Sequence, residues 1–200
     1  MRTSLAASWP SRLALSACTL LCTAVATPAQ DLPQQETIVF GGSGGTAFRR
    51  DCPAHYVGTG LRGRADKFVD AVGLLCAPIL SDGSVGPTTT SGTLSGGGGG
   101  KVYSTQCSPG YVMVAAELFA SQITFTPSQW IYSGRIGCRA WNKATRTSGG
   151  STSWLAEITN NNPGSFNGSV SCTSNRQPVV AIRGRSGTYV DALGLICNEP

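Results

Sequence analysis

"GRSGTYVDALGLIC", residues 184–197, repeats a stretch written earlier in the chain, "GRADKFVDAVGLLC" at 63–76. Eight of the fourteen positions are identical in register: Gly, Arg, Val, Asp, Ala, Gly, Leu and Cys. Each copy runs from a loop into an apolar strand-like run that stops on a cysteine, and each carries one aspartate, Asp70 or Asp191. Period-two alternation in the later copy sets Leu193, Leu195 and Cys197 on one face and Ala192, Gly194 and Ile196 on the other.

The cysteines extend the repeat across the chain. Cys52 to Cys76 spans 24 positions, Cys107 to Cys138 spans 31, and Cys172 to Cys197 spans 25. Three units follow, at about 40–80, 96–141 and 161–198, within a single domain over 40–200. Each has a Gly loop, a cysteine with a turn, an apolar strand, and a loop leading into a strand that ends on the second cysteine. The Gly loops are "FGGSGG" at 40–45 and "GGGGG" at 96–100; in the third unit, "NNPGS" at 161–165, only Gly164 remains opposite Gly44 and Gly99. Units of this length cannot bury their faces alone and close around a shared core. The stretches 81–95 and 142–153, rich in Gly, Ser, Thr and Pro, read as loops between units.

Composition agrees with an all-β chain. The 200 residues include 26 glycines, charged residues make up 12%, and no long helix-forming run appears. The net charge of +5 is spread out, with no basic block longer than Arg49-Arg50, so the basicity belongs to a solvated surface and not to a nucleic-acid interface.

Residues 1–26 differ from the rest. Arg2 and Arg12 precede an apolar run at 13–26 that ends on Ala24-Val25-Ala26, the pattern of a cleaved signal peptide. "LSAC" at 15–18 resembles a lipoprotein cleavage box, but the apolar run between Arg12 and Cys18 is too short for one. No stretch is long and apolar enough to span a bilayer. The expected location is secreted or periplasmic, with 27–39 as a linker. Six cysteines then remain, an even number in an exported chain, which implies disulfides. Fifteen connectivities are possible; the simplest is one bridge per unit, 52–76, 107–138 and 172–197. Metal-ligand spacing is missing and His55 is the single histidine, so no metal or other cofactor is expected.

An aspartate in a glycine-rich loop has two readings. It can cap local amides as a turn device. It can also accept from two adjacent hydroxyls of a polyhydroxyl ligand, while nearby backbone amides donate and glycine lets the backbone approach. Composition does not choose between them.

Coupled to "FGGSGG", the "GRSGTYVDALGL" stretch resembles the jacalin-related lectins, most of all their griffithsin-like members, over residues 40–197. The cysteine-bracketed units resemble the vitelline membrane outer layer proteins. Both resemblances imply a type I β-prism, three pseudo-symmetric four-stranded Greek-key sheets. The lectin resemblance further implies sugar sites in which a GxxxD loop meets the glycine loop of the next unit. One would join Gly187, Thr188, Tyr189 and Asp191 to Gly45. The other would join Lys67, Phe68 and Asp70 to Gly100. That second site departs from the motif, because Asp66 stands where glycine is usual, at a cost if the position needs a left-handed backbone. In the middle unit, counting back six from the second cysteine gives Tyr132 in place of aspartate, while Trp130 keeps the aromatic of Phe68 and Tyr189. No site of this type is expected there.

The implied partners are glycans bearing mannose- or glucose-type sugars. The alternative is a structural envelope or coat protein with the same prism and vestigial loops. An enzyme is not expected. Asp66 and Asp70 are the only close carboxylate pair in a candidate site, and they share one surface loop, whereas a glycosidase needs two carboxylates across the scissile bond.

Overall fold

A computed structural model describes residues 34–90, 92–122, 129–155, 158, 167–172 and 176–198. The expected signal peptide and the third glycine loop with Gly164 lie outside the described residues. In chain order the strands are β1 Gln35–Glu36, β2 Phe40–Gly41, β3 Thr46–Asp51, β4 Tyr56–Ala65, β5 Val69–Pro78, β6 Thr89–Thr90 and β7 Ser95–Gly96. They continue with β8 Lys101–Gln106, β9 Tyr111–Gln122, β10 Gln129–Asn142, β11 Thr147–Trp154, β12 Gly168–Ser171, β13 Val179–Ser186 and β14 Val190–Cys197. Among the described residues no helix is long and apolar enough to cross a membrane.

Three hairpins, β4–β5, β9–β10 and β13–β14, form the centres of three antiparallel sheets. On the outer side of β14 lie β1 and β2, two pieces of one interrupted edge strand, and β6 and β7 stand likewise beside β5. Each sheet therefore has four strand positions. The fourth comes from the next stretch of chain: after each glycine loop, the strand pairs with the preceding hairpin and not with its own. Thus β8 pairs with β4, β12 with β9, and β3 with β13. The last pairing brings residues 46–51 against 181–186 and closes the ring of sheets.

The bridges follow the unit boundaries: Cys52–Cys76, Cys107–Cys138 and Cys172–Cys197, with Cα atoms 5.5–5.8 Å apart. Because of the strand exchange, each bridge is local in sequence yet ties one sheet to the next. Cys52 directly follows β3, in the sheet of β13 and β14, and its amide donates to the Val180 carbonyl, whereas Cys76 lies in β5.

The inward faces make one core from all three sheets, including Leu61, Leu74, Met113, Leu118, Ile136, Ile182 and Leu195. Burying each such side chain contributes about 1.5–3 kcal/mol. Leu193, Leu195 and Cys197 join this core as the alternation requires. Ala192 and Ile196, on the opposite face, are buried as well.

Two stretches expected as loops carry edge strands: Thr89–Thr90, within 81–95, forms β6 on β5, and Thr147–Trp154, which begins within 142–153, forms β11 on β10. The Gly/Ser/Thr composition of β11 conceals two anchors, Thr152 and Trp154, which pack over Gly137 where a Cβ would leave no room. The guanidinium of Arg135 lies 5.2 Å from the Trp154 ring.

Candidate functional site

Asp70, Tyr132 and Asp191 occupy one position of the three-fold plan. In each hairpin the second strand carries an extra residue, a β-bulge. Asp191 is the unpaired residue between the Arg185–Ala192 and Ser186–Val190 pairs. Asp70 stands between Arg64–Ala71 and Ala65–Val69, and Tyr132 between Phe119–Ser133 and Ala120–Ile131. A bulge re-aims its side chain out of the ladder, and at Asp191 and Asp70 it aims it toward a glycine loop.

At Asp191 that loop is 41–45. The Gly42 amide donates to the Asp191 carbonyl at 2.8 Å. Gly45 has φ +62°, in the left-handed region. A Cβ on Gly44 would run into Asp191 Oδ1, and one on Gly45 would strike Asp191 Oδ2 and the Ser186 carbonyl. The carboxylate thus lies flat against glycine backbone that admits no side chain. The second constellation matches atom for atom. Gly97 donates to the Asp70 carbonyl at 2.8 Å, Gly100 has φ +63°, and added Cβ atoms on Gly99 and Gly100 would strike Asp70 Oδ1 and Oδ2.

Of the sequence-expected residues, Asp191 and Gly187 come together at Gly45, and Asp70 at Gly100, while the Thr188 backbone lies against Gly97 of the other glycine loop. Thr188 and Tyr189 lie between β13 and β14, outside the ladder, while the Gly187 amide is held by the Tyr189 carbonyl at 2.9 Å. Asp66 occupies the place of Gly187, and its amide makes the same turn to the Phe68 carbonyl at 3.0 Å. Neither position has positive φ, and a Cβ on Gly187 would meet only the Gly45 Cα, at 3.8 Å. The expected backbone cost of Asp66 therefore does not arise; the substitution changes charge and not conformation.

Both carboxylates are almost buried, Asp70 at 5% and Asp191 at 4% exposure. Burial pushes the Asp191 carboxyl above the usual carboxylate range, against the pull of Arg185 and of the Asp191 and Gly187 amides. Burial, and then the Asp66 carboxylate, push the Asp70 carboxyl up in the same way, against the Asp66 amide, Arg64 and the Asp70 amide. Among the described residues Asp70 Oδ2 has no hydrogen-bond partner. Such an acceptor is costly unless something supplies a donor.

The rings meet between the two clusters. Phe68, 7% exposed, packs 5.0 Å from Tyr189, 5.6 Å from Trp130 and 5.3 Å from Tyr132. Tyr189 also packs edge-on to Trp130 at 5.7 Å. The aromatic ring at this position thus joins a common hub. Lys67 Nζ sits 5.6 Å from the Phe68 ring.

Two residues were missed from sequence. Arg185 Nε and Nη2 donate to the Gly44 and Gly45 carbonyls, both at 2.7 Å. Arg64 Nε and Nη2 donate to the Gly99 and Gly100 carbonyls at 2.6 and 2.7 Å. The signal was present: the second letter of both quoted stretches is this arginine, and the middle unit has Phe119 there.

Three antiparallel sheets around one core, with one bridge per repeat, define a type I β-prism of the jacalin-related lectin type. The chain is similar in fold to the Malaysian banana lectin, at 17% identity over 84% of this chain and all of that one, with a TM-score of 0.55. It is likewise similar to a mannose-binding jacalin-related lectin from Ananas comosus, at 22% identity, 84% and 99% coverage and a TM-score of 0.52. A mannose-binding lectin from champedak gives 16%, 86% and 99%, and 0.51. No protein-family model matches the sequence, and comparison with curated proteins finds no relative.

Proposed function

We propose that this chain is an exported carbohydrate-binding protein that takes mannose- or glucose-type sugars at the Asp191–Gly45 and Asp70–Gly100 clusters. The observation that carries the reading is the double occurrence of one device: a buried carboxylate on a bulge, pressed against a left-handed glycine at a surface loop. Two adjacent sugar hydroxyls donate to the carboxylate. The amides of Thr188, Tyr189 and Gly45 donate to sugar oxygens, and Lys67, Phe68 and Gly100 supply the equivalent groups at the second site. The mannose-binding proteins of the same fold support this choice of ligand.

Three disulfides fit an oxidising compartment, and the proposed signal peptide at 1–26 provides the route there. Charge-assisted hydrogen bonds contribute roughly 1.5–3 kcal/mol each before ordering costs. A shallow site of this kind binds a monosaccharide on the order of millimolar, and two sites on one body raise affinity for a multivalent glycan by about 10²–10⁴.

The second reading, a structural coat protein with vestigial loops, draws on the middle unit, where the prism is built without the aspartate. The test is a glycan array with the mature protein, supported by NMR titration with methyl α-mannoside and methyl α-glucoside. Wild type binds, Asp191→Ala and Asp70→Ala each remove one site, and the double variant binds nothing. A wild-type protein that binds no glycan sinks the proposal in favour of the coat reading. Variants that bind like wild type sink the site assignment.

A further inference from the structure

We propose that Arg185 and Arg64 are positioning residues for ligand binding, each bridging two consecutive carbonyls of the facing glycine loop and so aiming one backbone amide at the ligand. The inference rests on the carbohydrate reading above.

In a planar trans peptide the carbonyl and the following N–H point in opposite directions. Fixing the Gly44 carbonyl on Arg185 Nε at 2.7 Å therefore turns the Gly45 N–H away from the arginine. The next carbonyl, of Gly45, is fixed on Nη2, and Thr46 beyond it enters the ladder opposite Ser186. A left-handed glycine flanked by free backbone would sample many conformations; here both neighbouring peptide planes are held. Arg64 repeats the arrangement on Gly99 and Gly100.

The guanidinium is spent on the loop and not on the carboxylate. Among the described residues no salt bridge joins Arg185 to Asp191 or Arg64 to Asp70. The arginine still favours the ionised carboxylate from a distance. Only arginine has a rigid fork of donors that can bridge two carbonyls; the lysine ammonium is a point donor on a flexible stem.

The middle unit supplies an independent comparison. Phe119 stands in the arginine position, and its ring packs edge-on against Tyr132, in the aspartate position, at 5.7 Å. Arginine and aspartate occur together in two units and are replaced together in the third, as expected of two parts of one device.

The test uses full-length mature protein with Asp70→Ala, which leaves the Asp191 site alone. In that background Arg185→Met and Arg185→Lys are titrated with methyl α-mannoside by ¹⁵N NMR. The sugar-free Gly45 amide is followed by chemical shift and hydrogen exchange. Arg185→Met is expected to weaken binding at least tenfold, shift the Gly45 amide and speed its exchange, with the 96–100 loop unchanged. Arg185→Lys should fall between Met and the parent. Parent-like affinity with an unmoved Gly45 amide overturns the proposal, as does a variant whose melting temperature falls while affinity and Gly45 stay the same. If the parent binds no sugar, the carbohydrate reading fails by itself, and the Gly45 amide alone then decides whether Arg185 holds the loop.

Discussion

The middle unit and its two neighbours share a bulge but fill it differently. In the outer units an arginine and an aspartate flank a left-handed glycine; in the middle unit Phe119 and Tyr132 stack edge to face. The bulge persists in all three, so it belongs to the prism's geometry. The carboxylate is an addition to that geometry, and an unfavourable one for stability, because burial works against its charge at both positions. An aromatic pair packs the same corner without that desolvation. The difference separates architecture, common to three units, from a loop chemistry present in two.

The largest test concerns what the units share. Replacing both cysteines of the 107–138 bridge by serine should cost about 2–5 kcal/mol in denaturant unfolding. The 52–76 and 172–197 bridges close similar loops and should cost about as much, within roughly 1 kcal/mol. A much cheaper middle bridge would break the architectural equivalence.

The next test concerns the outer units alone. Gly45→Ala and Gly100→Ala each place a Cβ into backbone and carboxylate at positive φ, and should cost about 2–4 kcal/mol and abolish sugar binding at their own site. Unperturbed stability in either variant would refute the close packing of glycine on aspartate.

Asp191→Asn and Asp70→Asn sharpen the separation of stability from function. Burial raises both carboxyl pKa values in the folded protein, so the native state binds protons more readily than the unfolded chain. Stability therefore falls as pH rises from below the unfolded aspartate pKa through the raised folded one, and the penalty is complete above it. Each Asn variant should melt higher than wild type at pH 7, with the gain vanishing as pH falls below the ordinary aspartate range. Sugar affinity of the wild type should fall as pH drops through the raised pKa values. An Asn variant less stable at pH 7 would show that the carboxylate is structural after all.

The smallest effect is expected at Gly187→Ala, within about 0.5 kcal/mol, because the position is exposed, lacks positive φ and has open space. A large loss would mean that the loop needs glycine there and that Asp66 is strained.

Much of this was legible in the sequence. The repeat and the even number of cysteines led to three units and their bridges, and the lectin resemblance implied Asp191 beside Gly45 and Asp70 beside Gly100. The arginines stood in both copies of the repeat, but their role was not legible, because a side chain that binds backbone carbonyls has no partner residue type to betray it. Strand exchange was hidden as well: β3 follows its glycine loop directly, and nothing in "TAFRRD" says that it pairs with residues 181–186. β11 escaped because an edge strand needs only alternating anchors, and Thr152 and Trp154 are few among glycines and serines.

The inter-sheet placement of the bridges gives the molecule the character of a hoop fastened at three seams. No bridge stiffens a sheet from within; each clasps two sheets whose strands the chain has already interleaved. A reductant would open these seams without itself breaking a ladder hydrogen bond. Loss of one clasp would thus be felt first at the turns after Cys52 and Cys107, where the chain passes from one sheet to the next.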